Sequence, residues 1–138
     1  MPVTFPEEAR VLIMRDDDVI TARQKGRELA AQVGFSGSEV TLIVAAISEI
    51  ASNIVLHARN GEIVLCAVSQ DHRQGVLVVA ADNGPGIPDI EQAMEDECST
   101  RKTPGLGLPG AKRLMDEFEI VSKAGKGTRV TMKKWMRQ

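Results

Sequence analysis

Three observations predict an α/β two-layer sandwich, with helices covering one face of a mixed, mainly antiparallel sheet. First, "EIVLCAVSQ" (62–70) and "GVLVVAAD" (75–82) read as strands joined by the polar turn "DHRQG", and "FEIVSK" (118–123) and "TRVTMKKW" (128–135) are joined by "AGKG". Turns this short join antiparallel neighbours. Second, the last strand alternates, with Thr128, Val130 and Met132 on one face and Arg129, Thr131 and Lys133 on the other, so one side of the sheet meets water. Third, the stretch 38–58 has helical spacing and is apolar over most of its circumference, so it must be largely buried.

In chain order, "ARVLIMR" (9–15) is a strand, and Asp16, Asp17 and Asp18 supply the acidic start of a helix. Its apolar residues Val19, Ala22, Gly26, Leu29, Ala30 and Val33 recur at helical spacing, and Gly34 ends it. The long apolar helix follows from "FSGSEV", and then the first hairpin. The second strand of that hairpin ends in Asp82, which shares a face with Val76, Val78 and Ala80. If that is the covered face, the carboxylate lies between the layers, where an unpaired charge is costly. After "DNGPGIP", Asp89 and Gln92 spell a capping box leading into "IEQAMED", a further helix, and "GLPGAKRLMDEF" begins another before the second hairpin.

The 138 residues, 43% of them hydrophobic, fit a single domain over 1–138 with an adequate core. The 17 basic and 19 acidic residues, formal charge -2, provide no basic field for nucleic acid, and the helices are not basic amphipaths for a membrane surface. No run approaches a membrane span, and "MPVTFPEEAR" lacks the basic and apolar regions of a signal peptide, so a cytoplasmic protein is expected. Cys66 and Cys98 lack metal-ligand spacing and read as free thiols.

Four segments can carry chemistry. In "SEIASNIVLHA", Glu49 and Asn53 project from neighbouring turns of one helix face, at the edge of a stripe centred on Ser48 and Ser52. This is either a solvated stripe or a carboxylate and carboxamide able to serve a hard cation and activate a hydroxyl. In "DNGPGIP", Asp82 can accept from an exocyclic amine while Gly84 and Gly86 let a flat ring approach the backbone; the alternative is a tight turn with a helix cap. In "TPGLGLPGAKRLMDEF", Gly105, Gly107 and Gly110 spell GxGxxG, but polar loop precedes them where a dinucleotide fingerprint needs a strand. Ala111 stands between Gly110 and Lys112, so this is no Walker A loop either. What remains is a glycine-rich helix start suited to phosphate. The fourth segment, "AGKGT", reads as a hairpin turn by itself.

In their order and separations these segments resemble the N, G1, G2 and terminal G boxes of the GHKL (Bergerat-fold) ATPases, over nearly the whole chain. The compact length and "GLPGAKRLMDEF" resemble the small serine/threonine switch kinases of bacterial stress-response partner-switching systems more than the related anti-sigma kinases. The resemblance implies that Asp82 takes the adenine amino group, with Gly84 and Gly86 beside the base and Thr128 supporting Asp82 through water. It implies Mg²⁺ on Asn53, Glu49 as base or orienter of the incoming hydroxyl, and phosphates cradled by Gly105, Gly107 and Gly110, with Arg101 or Lys102 meeting the γ-phosphate. His57, one turn past Asn53, is expected to be a packed or solvent-edge residue.

The activity implied is phosphorylation of STAS-domain antagonists (stressosome components) with Mg²⁺-ATP, followed by binding and activation of a PP2C-type phosphatase. The surface shared by these partners is expected around residues 97–112. Two alternatives stand beside it: an anti-sigma factor kinase that sequesters a sigma factor, and a nucleotide-gated adaptor without transferase activity.

Overall fold

The computed structural model describes residues 8–87, 94 and 108–137. Five strands form one sheet in the order β1-β2-β3-β5-β4: β1 (Ala9–Ile13), β2 (Gly61–Gln70), β3 (Arg73–Asp82), β4 (Glu117–Lys123) and β5 (Gly127–Trp135). Every pairing among the described residues is antiparallel, where a mixed, mainly antiparallel sheet was expected. The reason is topological: β3 and β4 run in the same direction, but β5 inserts between them and pairs with both.

Three helices complete the described fold: α1 (Asp16–Val33), α2 (Gly37–Asn53) and α3 (Leu108–Leu114). The Asp18 carboxylate accepts the Met14 N–H at 2.8 Å and the Arg15 N–H at 3.0 Å, which pins the start of α1 and holds this carboxyl below the usual range. At the other end the Gly34 N–H reaches the Ala30 carbonyl. Ser36 caps α2 by accepting the Glu39 N–H at 3.3 Å. The helix predicted at "IEQAMED" lies outside the described residues.

The helices lie on one face. From the sheet, Val11, Ile13, Ile63, Leu65, Val76, Val78, Ala80, Val130 and Met132 are buried against Ala22, Leu29, Ala30, Ile43, Ile47, Ile50 and Ala51 of α1 and α2, with Leu108 and Ala111 of α3. α1 and α2 pack so closely at Gly26 that a Cβ there would overlap the Ile47 side chain. The stretch Gly37–Ala58 is long and apolar enough to cross a membrane by length and composition, contrary to the expectation from sequence; here Ile43, Ala46, Ile47, Ile50, Ala51 and Ile54 serve the core, while Leu42 and Leu56 are exposed. The other face of the sheet carries Glu62, Arg129 and Lys133, together with the free thiol of Cys66; Cys98 lies outside the described residues.

The long apolar helix is not uniform. After Asn53 it widens into one π-helical turn, Ile54–Ala58, which ends at Arg59 with φ 71°. Such single wide turns recur at functional sites, and this one carries His57 and Ala58 to the end of the sheet where β3 finishes. At the opposite end, the buried Lys134 ammonium donates to the Leu114 carbonyl at 2.9 Å and so ties the C-terminus of α3 to β5.

Candidate functional site

A cavity of about 190 Å³ opens between the layers at the end of β3, lined by Asn53, His57, Ala58, Asp82, Pro85, Gly86, Ile87 and Thr128. Asp82 lies on the helix-covered face, as its register with Val76, Val78 and Ala80 requires, and its pair across the sheet is Thr128. One carboxylate oxygen, Oδ1, accepts two backbone donors, the Gly84 N–H at 2.9 Å and the Thr128 N–H at 3.3 Å. The carboxylate is thereby oriented, and Oδ2 remains able to accept from a ligand. The contact from Thr128 to Asp82 is direct and made by its backbone.

The loop 83–87 is braced by the β4–β5 hairpin. The Gly125 N–H donates to the Pro85 carbonyl at 2.8 Å, and the Ile87 N–H to Ser122 Oγ at 2.7 Å. Two glycines make this close fit possible. Gly86 has φ 80° and lies where a Cβ would overlap the Lys123 carbonyl oxygen; Gly127 has φ 99° and lies where a Cβ would overlap the Asp82 carbonyl oxygen. "AGKGT" is therefore a hairpin turn and also the buttress of the carboxylate loop. Ser122, which the sequence reading did not single out, is the hydroxyl that joins them, bonding Thr128 Oγ1 at 2.8 Å. A serine in a short amphipathic strand gives no signal of this.

Asn53 is 7% exposed, and its Oδ1 is a buried oxygen with no hydrogen-bond partner. Buried acceptors are rarely left alone, and the carboxamide oxygen of a residue that lines a cavity is a suitable ligand for a hard cation. Among the described residues no group of three or more His, Cys, Asp or Glu could hold a metal ion. A cation at Asn53 would therefore need further oxygens from a ligand. His57 is exposed, at the solvent edge, and lines the same cavity.

Glu49, one turn before Asn53, is exposed and opens onto a different recess. This groove of about 310 Å³ runs between α1 and α2 and is lined by Arg23, Arg27, Thr41, Val44, Ala45, Ser48 and Glu49. The two arginines, four residues apart on α1, present a paired positive edge beside the carboxylate. Of the polar stripe centred on Ser48 and Ser52, Ser48 lines this groove. Gly84 stands in the loop after Asp82 and Gly110 within α3, while Arg101, Lys102, Gly105 and Gly107 lie outside the described residues, with most of the expected partner surface 97–112.

The profile of the family described as "Histidine kinase-like ATPase domain" matches residues 14–134. The chain is 46% identical to the serine/threonine-protein kinase RsbT of Bacillus subtilis over 131 residues, 95% of this chain and 98% of that protein. It is 35% identical to the anti-sigma F factor of Caldanaerobacter subterraneus over 121 residues, 83% of each chain. Among solved structures, the RsbU and RsbW domains of Rv1364c from Mycobacterium tuberculosis align with a TM-score of 0.66 at 26% identity. That match covers 96% of this chain, which spans 34% of the solved one. With 121 of 138 residues inside the matched profile, and with a relative of nearly equal length at 46% identity, the chain belongs to the histidine kinase-like ATPase family.

Proposed function

We propose that this protein is a cytoplasmic, ATP-dependent protein serine/threonine kinase of a bacterial partner-switching pathway. It phosphorylates STAS-domain antagonists of the RsbS and RsbR kind with Mg²⁺-ATP and, once released from them, binds and activates a PP2C-type phosphatase of the RsbU kind. The observation that carries this reading is the pair of adjoining recesses on α2. One holds an oriented carboxylate and an unpartnered carboxamide oxygen; the other, reached from the preceding helical turn, is lined by an exposed glutamate and two arginines.

In this reading Asp82 accepts the adenine amino group, Gly84 and Gly86 flank the base, and Thr128 helps hold the carboxylate. Asn53 would hold Mg²⁺, which would neutralise phosphate charge. Gly105, Gly107 and Gly110 receive the phosphates, with Arg101 or Lys102 near the γ-phosphate. Glu49 orients the acceptor hydroxyl of the protein substrate and takes its proton. The hydroxyl oxygen bonds to the γ-phosphorus, the bond from that phosphorus to the bridging oxygen breaks, and ADP departs. Such transfer asks the protein mainly for positioning and charge neutralisation. Arg23 and Arg27 favour an acidic approach to the groove, and a newly added phosphate of about -1.5 to -2 charges changes the electrostatics of the bound product.

Incubation of the purified protein with γ-labelled ATP and STAS proteins encoded beside it tests the proposal. Label on a serine or threonine of a STAS protein is expected; ATP binding with no transfer to any of them refutes it. The 35% identity to an anti-sigma F factor favours a second reading, a kinase that sequesters a sigma factor and phosphorylates its antagonist. Stable co-purification with a sigma factor distinguishes that reading from the first.

A further inference from the structure

Among the described residues the helices cover one face of the sheet and leave the other open. Register fixes what the open face carries. In sheet order from β1 to β4, one row across the strands reads Leu12, Glu62, Ala81, Arg129, Val121, and the next reads Arg10, Val64, Val79, Thr131, Glu119. A third row, which β1 does not reach, reads Cys66, Leu77, Lys133, Glu117. Beyond it the face is closed within the chain: the Trp135 ring lies over Gly75, and the Arg73 guanidinium lies 4.4 Å from the ring centroid. The middle strand therefore offers an apolar line, Leu77, Val79 and Ala81, and the first row ends in exposed aliphatic residues on both edges, Leu12 at 63% and Val121 at 53%.

Charge on this face is balanced and ordered. The cations Arg10, Arg129 and Lys133 stand with the carboxylates Glu62, Glu117 and Glu119. Arg10 pairs with Glu62, and Lys133 lies 3.9 Å from Glu117, whereas Arg129 and Glu119 have no ion pair among the described residues. A two-fold axis along β3, between two copies packed face to face, lays each row on its own reverse. Leu12 then meets Val121 of the second copy, Glu62 meets Arg129, and Ala81 meets Ala81; in the next row Arg10 meets Glu119 and Val79 meets Val79. The two charges without a mate in one copy thus face the Arg10–Glu62 pair of the other. An axis across the strands would instead exchange the first and third rows, setting Arg129 against Lys133 and turning Arg10 and Glu119 each upon itself. Only the axis along β3 matches charge, and it keeps two identically twisted sheets aligned, as packed sheet faces prefer.

We propose that the open sheet face is a self-complementary docking surface for a second copy of this chain, forming a closed two-fold dimer about β3. Both helical layers stay on the outside of such a dimer. The matched rows span roughly 19 by 13 Å between Cα atoms, which is small beside the roughly 800 Å² per subunit of a standard interface. A weak, concentration-dependent dimer is therefore expected.

Sedimentation of the unaltered protein over a micromolar to millimolar range should show monomer and dimer and nothing larger. Arg129→Glu alone and Glu62→Arg alone each set like charges opposite one another at both symmetric contacts, so either should raise the dimer dissociation constant at least about tenfold. An equimolar mixture of these two variants regains opposite charges at both contacts, and native mass spectrometry should find the heterodimer forming about as readily as the unaltered dimer. Leu12→Lys mixed with Val121→Glu asks the same of the exposed edges, and keeps the test decisive should Glu62→Arg, which loses its Arg10 pair, fold poorly. A protein that stays monomeric over the whole range, or that grows into species larger than dimers, overturns the proposal. So do single variants that dimerise as the unaltered protein does, and mixtures that associate no better than their components alone.

Discussion

Replacing Asp82 by asparagine separates ligand recognition from scaffold at a single atom. In the structure Oδ1 accepts from the Gly84 and Thr128 N–H groups, and Oδ2 is the acceptor left for a ligand. Asparagine keeps a carbonyl oxygen for the two backbone donors and turns an NH₂ group toward the cavity, where a donor then meets the donor of an adenine amine. A hydrogen bond to a charged group contributes about 1.5–3 kcal/mol, and about 1.4 kcal/mol is tenfold in affinity. ATP affinity should therefore fall roughly 10- to 100-fold while the fold persists. Asp82→Ala differs: it strands both backbone donors, at about 1–3 kcal/mol each, and costs stability as well. Isothermal titration with Mg²⁺-ATP, paired with urea unfolding of both variants, reads the two effects separately. Unchanged ATP affinity in Asp82→Asn refutes the assignment of Oδ2 to the base, and equal destabilisation by the two substitutions refutes the assignment of Oδ1 to the scaffold.

Glu49 and Asn53 share a helix but face different recesses, so their losses should differ. Glu49→Ala should cut phosphotransfer about 10²- to 10⁴-fold with ATP affinity retained, whereas Asn53→Ala should weaken the Mg²⁺-dependent part of binding; equal collapse of ATP affinity in both contradicts this division. Gly127→Ala forces a side chain into φ 99° against the Asp82 carbonyl, so the thermal midpoint should drop by at least about 5 °C and ATP binding with it; an unchanged midpoint would show that β5 can shift freely. Asp18 is held below the usual carboxylate range by the Met14 and Arg15 N–H groups. Its contribution is thus present above the unfolded value of about 3.9 and lost as pH falls through the lower folded value. The difference in thermal midpoint between the unaltered protein and Asp18→Ala should narrow in acid, and a difference that stays constant down to about pH 2 would contradict this.

Much of the fold was legible because solvent exposure writes a period into the chain. Alternation in 128–133 identified the covered face of β5, the spacing from Val19 to Val33 identified the buried side of α1, and Asp82 fell on the inner face by counting along β3. Strand order was less legible. Hairpin turns report which strands are joined, but nothing local in 118–135 says that β5 also pairs with β3 across 8 residues of register. The π-helical turn was hidden because a single widened turn leaves the apolar periodicity of "IASNIVLHA" almost unchanged. At the site, Asp82, Asn53 and Gly86 were recognisable by chemistry and Thr128 only through the family resemblance, and the four converge on one cavity. Arg23, Arg27 and Ser122 were not, since an exposed arginine pair on a helix and a serine in an edge strand are ordinary residues until tertiary packing gives them neighbours.

The insertion of β5 between β3 and β4 bears on the order in which the protein becomes competent during synthesis. A nascent chain that has emerged through β4 can close its first hairpin and pack α1 and α2, yet β3 still ends in an open edge and β4 has no neighbour to join. Gly127 and Thr128, which complete the surroundings of Asp82, arrive only with β5, the last strand in chain order. A finished cavity is thereby reserved for chains translated through β5, and a polypeptide stalled before residue 127 presents neither that cavity nor a sealed sheet.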